Sequence, residues 1–576
     1  MIAHIIHHFC AISGQIPNCS KSAILFSANV NRTVITDIKT IFPVPSMDDN
    51  FIHLGHPLIL PAKNRISAYN FVLHRFMAKL PTYKANMLSH AARLELIRSV
   101  FSSIPVYYMS NILFSKKFIF KLTSIIRTFW WTGIKEGDSS KGFCLRAWKD
   151  ICTSKEEGSL GIRNLQAMNQ GIILASAWRL ANAPNSHFSL VLKSKYFPDS
   201  SIWTATSSPP KSAFWSSILR MLPKLKAHCL YHITQGNISI WSTPWCTAWT
   251  NIHDNLIIQP VGFIYPALVS DLWLPGQKAW NNELIYSLFN EPMASIIIHT
   301  TIVQDNCPDI LVWDLTPNGK CSSKSTYKLC LQDIQAQPSN RPFQVSNQVK
   351  ALRKQIWKQK LMAPRVQTFA WRLLRKALPT GLRASRFSVH ISKQCCRCAQ
   401  DENEMHIFFL CDFARAAWFA HPWYFRSDLL TENHLSMQSV ILDLLNMDHP
   451  YATIPNIFNF LWCIWKSRCD CLFDRRCSLP HQVHVAALAL DDQQKSQMVS
   501  PLDDRNVVTN ATSLVNATTL PIQGSTLTTD LLIDGAKIYS DASFRCSKVP
   551  GLPNGSVATG IGVFLKFVQG NKNVDV

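Results

Sequence analysis

The sequence predicts an α+β, multi-domain, mostly helical protein, and three observations carry that prediction. The chain has 576 residues, a mass of 65.2 kDa and 47% hydrophobic residues, which is enough material for three or four units. Apolar residues recur at three- and four-residue steps between residues 65 and 130, and helical patterns return over 365–376 and 458–473. Cys395, Cys398, His406 and Cys411 crowd four metal-ligand side chains into seventeen residues, which specifies a small zinc-knuckle domain.

Taken in order, residues 1–60 carry Pro43, Pro45 and Pro57, which mark extended or turn segments. A helical bundle is expected over 61–133. Its first helix runs from Arg65 to Leu80 with Ile66, Tyr69, Val72, Phe76 and Leu80 on one face and Arg75 and Lys79 near its end. Its second begins after Ser89, an N-cap residue, and must stop before Pro105. Its third aligns Phe118, Leu122, Ile125, Ile126, Phe129 and Trp130, with Lys116, Lys117, Lys121 and Arg127 beside them. Between Lys63 and Arg127 stand 11 basic residues and one acid, Glu95, so this bundle offers a basic surface.

Residues 134–320 form a connection region whose tryptophans, Trp148, Trp178, Trp203, Trp215, Trp241 and Trp245, lack a surrounding basic stripe and read as core. The zinc-binding domain is expected over 321–425. Within it, Lys350 to Lys393 contains 12 Lys and Arg and no acid. On a helix from Arg365 to Lys376, Arg365, Arg372 and Lys376 share one side, with Arg375 close by, and form a ridge suited to a phosphate backbone. Docking on an acidic surface of the same protein is the alternative. A Trp-rich core helix, Phe458 to Phe473, belongs to a helical segment over 426–475, and the polar stretch 476–530 reads as a linker. Over 531–576, Lys537–Phe544 and Thr559–Phe564 read as two strands joined by a turn region.

A lone C-x2-C pair arises by chance about 0.6 times in a chain with this cysteine content, so His406 and Cys411 carry the weight of the motif. They stand five apart, which on a continuous helix would turn them away from each other, so a turn or helix end must hold the pair. Cys396 is an alternative ligand. A closed site of this kind leaves no open position for a reacting water and points to a structural zinc. Cys463, Cys469, Cys471 and Cys477 lack a histidine partner and read as reduced, core-filling thiols.

With 58 Lys and Arg against 36 Asp and Glu, the net charge is +22 and the pI near 9.4, a field that favours nucleic acid in a salt-dependent way. The N-terminus has no basic region ahead of its apolar run, and the longest uncharged apolar stretch, Ser99 to Ser115, is interrupted by Pro105. The expected location is intracellular, nuclear or cytoplasmic, with no membrane partner and no secretion.

Several segments, in order, resemble the downstream half of plant non-LTR, LINE-type retrotransposon reverse transcriptases. Ser13-Gly-Gln-Ile-Pro-Asn-Cys-Ser-Lys-Ser22 and Leu54-Gly-His-Pro-Leu58 are similar to the end of the polymerase palm. Leu88-Ser-His-Ala-Ala-Arg93, Ile104-Pro105 and Phe129-Trp-Trp-Thr-Gly133 resemble the thumb. Gly158-Ser-Leu-Gly-Ile162, Asn164-Leu165 and Asn169 continue into the connection, with Ser159 where the family usually has glycine. The Cys395, Cys398, His406, Cys411 set, with Glu404, matches the reverse-transcriptase zinc-binding domain. Trp465-Lys-Ser-Arg468 and Asp541-Ala-Ser543 resemble a linker helix and the start of a ribonuclease H-like domain.

The resemblance implies RNA-directed DNA polymerase and ribonuclease H activities, both of which need clustered carboxylates for paired metal ions. No Phe/Tyr-x-Asp-Asp occurs here, and Asp48-Asp49, Asp491-Asp492 and Asp503-Asp504 read as solvated loop acids. Asp541 alone matches the first ribonuclease H acid, and Asp575 is the sole acid after it. The expected function is therefore nucleic-acid binding by a catalytically inactive fragment with a structural zinc. One alternative is a clipped gene model of an active polymerase or ribonuclease H, in which a longer product would also take Mg. Another is a pseudogene product without a stable fold.

Overall fold

Ser115 ends an extended approach and its hydroxyl accepts the Phe118 amide, so a helix begins at Lys116 and runs until Gly133 turns left-handed at φ 66°. This helix is typical of the computed structural model, which describes residues 2–499 apart from 20–21, 27–28, 48–51, 54, 58–66, 83–87, 134–143, 207–211, 338–345 and 431–435, together with three strands after residue 534. The chain divides into two bodies, residues 1–499 and 500–576.

In the first body, α1 (Asn70–Thr82), α2 (His90–Leu96) and α3 (Lys116–Thr132) form the expected bundle. Tyr69, Val72, Phe76, Leu80, Leu122, Phe129 and Trp130 are all buried in its core. Ser89 caps α2 as expected by accepting the Ala92 amide. Arg65 and Ile66 lie outside the described residues, and the helix proper starts at Asn70 after a short 3-10 turn, Ser67–Tyr69. Two helices, Ile2–Ser13 and Arg32–Ile41, precede Pro43, Pro45 and Pro57, which stand in non-helical segments as expected, and no described residue before Tyr69 is buried.

The connection is built on α4 (Leu165–Asn182), flanked by α5 (Ala213–Lys226) and α6 (Ser323–Ala336), with a two-stranded antiparallel sheet, β1 (Cys229–His232) against β2 (Ile310–Trp313). Trp178, Trp203, Trp215 and Trp245 are buried, and Trp241 packs half-buried against the same core. The family-like residues have physical jobs here. Gly158 is left-handed, and a Cβ there would meet the Arg353 side chain at 2.7 Å, so only glycine permits that approach. Ser159 is buried and donates to the Asp150 carbonyl at 2.8 Å. Asn169 accepts from the Phe114 amide at 2.8 Å and donates to the Met109 and Ile112 carbonyls, closing the loop that enters α3.

The third core joins α7 (Asn347–Lys358), α8 (Pro364–Leu374), α9 (Asp412–Phe419), α10 (Ile454–Phe473) and α11 (Pro480–Val499). The Trp-rich helix is core, as expected, with Phe458, Phe460, Leu461 and Ile464 buried. A boundary at residue 425 would cut this core. The stretch read as a linker is helical from Pro480 to Val499, because Val483, Ala487 and Leu490 recur at helical spacing and pack on α10. Asp491 is therefore a helix residue, paired with Lys495 at 2.6 Å, and not a loop acid.

In the second body, β3 (Gly535–Ser540), β4 (Val563–Gln569) and β5 (Lys572–Asp575) form an antiparallel sheet in the order 3-4-5. Two strands are present where two were expected, with Ile538 opposite Leu565; Asp541–Phe544 and Thr559–Gly562 lie outside the described residues, and β5 is an addition. Asp541, Asp503, Asp504, Asp48 and Asp49 lie outside the described residues.

Candidate metal centre and basic faces

Residues 393–402 form a tight reversal. The Glu402 amide donates to the Lys393 carbonyl at 2.8 Å, the Cys395 amide to the Gln400 carbonyl at 2.7 Å, and Ala399 takes a left-handed φ of 58° to close the turn. This turn aims Cys395 and Cys398 at one point. His406 to Leu410 is a π-helical turn, and the Cys411 amide donates to the His406 carbonyl at 2.8 Å across five residues. The wider winding stacks Cys411 over His406, and so supplies the turn that the five-residue spacing demanded. Asn403 fixes the start of this turn by accepting the His406 amide at 2.8 Å.

The four ligand atoms lie within 4.8 Å of one another. Cys398 Sγ is 3.1 Å from His406 Nε2 and 3.9 Å from Cys411 Sγ. Two thiolates on a tetrahedral zinc with bonds of about 2.3 Å stand roughly 3.8 Å apart, so the donor set and its spacing fit zinc. A hydrogen bond from Cys411 pulls the Cys395 thiol down to about 3, with His406 assisting, while the same contact pushes Cys411 up. Thiols so close cannot all ionise without a cation between them. Cys396 is exposed and points out of the set, so the geometry favours Cys395 and Cys398 as the pair.

Several side chains around the turn hold it in place. Glu402 is buried, accepts the Gly381 amide at 2.7 Å, and forms a two-pronged pair with Arg468 at 3.0 and 2.5 Å. Arg397 donates to Ser467 Oγ at 2.8 Å and its guanidinium stacks 3.4 Å from the Phe413 ring centroid. Ser467 and Arg468, half of the Trp465-Lys-Ser-Arg468 motif, therefore clamp α10 to the metal-ligand turn. Glu404 pairs with Arg383. Acids at i and i+2 before a metal-ligand histidine were the available signal.

The expected basic ridge on α8 is corrected by the structure. Arg365 and Lys376 are exposed, but Arg375 is buried, and Arg372 is turned inward between α2 and α8, where it meets His90 Nδ1 at 3.2 Å. Burial pulls the Arg372 guanidinium down to about 10. The helix is amphipathic, but Arg372 and Arg375 sit at the edge of the apolar arc, where neighbouring elements cover them. Lys350, Lys354 and Lys358 instead form an exposed row at four-residue steps on α7. Lys116, Lys117 and Lys121 are exposed on α3, and Lys116, Arg127 and Lys149 line a cleft of about 440 Å³ beside the exposed ring of Phe120.

Comparison with known proteins places these features. Residues 322–418 match the family described as zinc-binding in reverse transcriptase. An Arabidopsis thaliana protein named "Putative ribonuclease H protein" is 26% identical over 431 residues, 72% of this chain and 66% of its own length. An "Uncharacterized mitochondrial protein" from the same plant is 32% identical over 145 residues, 25% of this chain and 92% of its own length. No helix among the described residues is long and apolar enough to cross a membrane. With the zinc-binding match over 322–418 and a relative that is 32% identical and covered over 92% of its length, the chain belongs to the reverse-transcriptase and ribonuclease H-like proteins of retroelements.

Proposed function

We propose that this chain binds nucleic acid through a zinc-organised helical unit and is catalytically inactive as it stands. Cys395, Cys398, His406 and Cys411 hold one structural zinc, which fixes the turn on which α8, α9 and α10 converge. The observation that carries the binding reading is the exposed row Lys350, Lys354 and Lys358 on α7, in a segment with no acid from Lys350 to Lys393. Regularly spaced ammonium groups on a rigid helix neutralise successive phosphates without reading base sequence. Lys116, Lys117 and Lys121 on α3 supply a second face, and Phe120 a ring on which a base can stack. The absence of any aromatic-x-Asp-Asp, the carboxylate pair that would hold two metal ions, supports the inactive reading. Purified protein should bind DNA, RNA or hybrid with an affinity that falls steeply from low to moderate salt. A flat response would contradict the reading.

The antiparallel sheet β3–β5, whose first strand ends at Ser540 just before Asp541, together with 26% identity to a protein named for ribonuclease H, supports a second reading. A longer product of the same element would then carry ribonuclease H or polymerase activity, with Mg as its cofactor. Hybrid cleavage by the chain itself, abolished by Asp541→Asn, would favour it over inactivity.

A further inference from the structure

Cys471 ends the buried face of α10, and Cys477 lies in the connection to α11. Their sulfurs are 2.8 Å apart. That is well inside the roughly 3.8 Å that separates two thiolates sharing a tetrahedral zinc, and close to a covalent S–S bond of about 2.05 Å. The exposed thiol of Cys396 also reaches Cys471, so three sulfurs meet on the outer side of the metal-ligand turn. The framework holding them is rigid: Arg397 is bonded to Ser467, the Ser467 and Ser478 hydroxyls touch, and the Arg476 amide donates to the Asp470 carbonyl at 3.1 Å.

We propose that Cys471 and Cys477 are a modification site, a thiol pair that a peroxide converts to a reversible disulfide clip while the zinc set stays intact. Cys471 sulfur attacks one peroxide oxygen, an S–O bond forms, and the O–O bond breaks. The leaving hydroxide takes up a thiol proton and becomes water. Cys477 sulfur then attacks the sulfenic sulfur, the S–S bond forms and the S–O bond breaks, and the second hydroxide takes up the remaining thiol proton. Two thiols are oxidised, one peroxide is reduced, and two waters leave. Burial opposes ionisation of Cys471, but hydrogen bonds from Cys477 and Cys396, with Arg397 nearby, outweigh it and leave the thiol below its ordinary value. The clip ties the start of α11 to the end of α10, beside the turn that holds Cys395 and Cys398. Cys396 is the neighbouring thiol through which the clip can exchange with an external thiol.

The full-length, zinc-loaded protein is treated with hydrogen peroxide, its free thiols are blocked, and disulfide-linked peptides are mapped without reduction. The expected result is a dithiothreitol-reversible link between the Cys469–Arg475 peptide and the peptide holding Cys477, formed before zinc is released. The link should persist in Cys396→Ser and Cys469→Ser and vanish in Cys471→Ser and Cys477→Ser; Cys477 is exposed, so its replacement leaves the fold intact. A link that survives Cys471→Ser, a dominant Cys396–Cys471 link, or zinc loss ahead of any link would overturn the proposal.

Discussion

At the scale of single residues, the metal-ligand set is where sequence and structure agree most closely. Four polar side chains at that spacing had one compact arrangement open to them, and only the device that brings His406 and Cys411 together, a π-helical turn, had to be seen. Cys398→Ser should abolish stoichiometric zinc in metal analysis of the purified protein, whereas Cys396→Ser should leave one zinc per chain. Asn169 is less legible, because an asparagine inside a helical pattern gives no hint that it satisfies three backbone groups far away in sequence. Asn169→Leu leaves those groups buried and unpaired and should cost about 3 kcal/mol or more in denaturant unfolding. His90 is half-buried beside Arg372 and Arg93, and desolvation first, then those charges, holds its pKa well below 6.5. The unfolded chain therefore takes up the proton first, so the His90 contribution is complete above about pH 6.5 and is lost as pH falls towards the folded value. Unfolding midpoints at pH 7.5 and 5.5 should differ less in His90→Gln than in the native chain.

At the scale of elements, periodicity located α1, α2, α3, α8 and α10, because each buries one continuous stripe. It failed where burial depends on the neighbour. Arg372 and Arg375 looked like a surface ridge on α8 until α2 and the connection covered them. The α11 helix was hidden by polar composition, since its few apolar residues suffice only because α10 offers a matching face. The Glu402–Arg468 pair joins two elements that are 66 residues apart, so no local pattern reveals it. Replacing Arg468 by Met strands the Glu402 carboxylate in the interior and should cost about 3–5 kcal/mol, with faster zinc loss to a chelator as the sign that the turn itself has loosened. Equal chelation rates in variant and native protein would show that the pair stabilises the helix alone.

At the scale of the molecule, the first body holds three cores that touch through shared residues. Trp371 of α8 sits in the bundle core, 5.8 Å from the Trp130 ring, and Arg146 donates to the Arg375 carbonyl. The sequence indicated separate thumb-like, connection and zinc units; in the structure the three cores interlock within residues 1–499. Trp371→Ala should therefore cost about 3–5 kcal/mol and destabilise the bundle and the zinc unit together, in a single transition. This interlocking gives the basic faces of α3 and α7 fixed positions on one body, as a surface for an extended polyanion requires.

The central claim, that α7 presents a phosphate-binding row organised by the zinc unit, is tested most directly by the salt dependence of DNA binding in the native chain and in a variant with Lys350, Lys354 and Lys358 all replaced by Gln. Each duplex phosphate contact contributes about 0.9 to the slope of log K against log salt, so loss of three contacts should lower that slope by about 2–3 with zinc content unchanged. Identical slopes in the two proteins would contradict the claim.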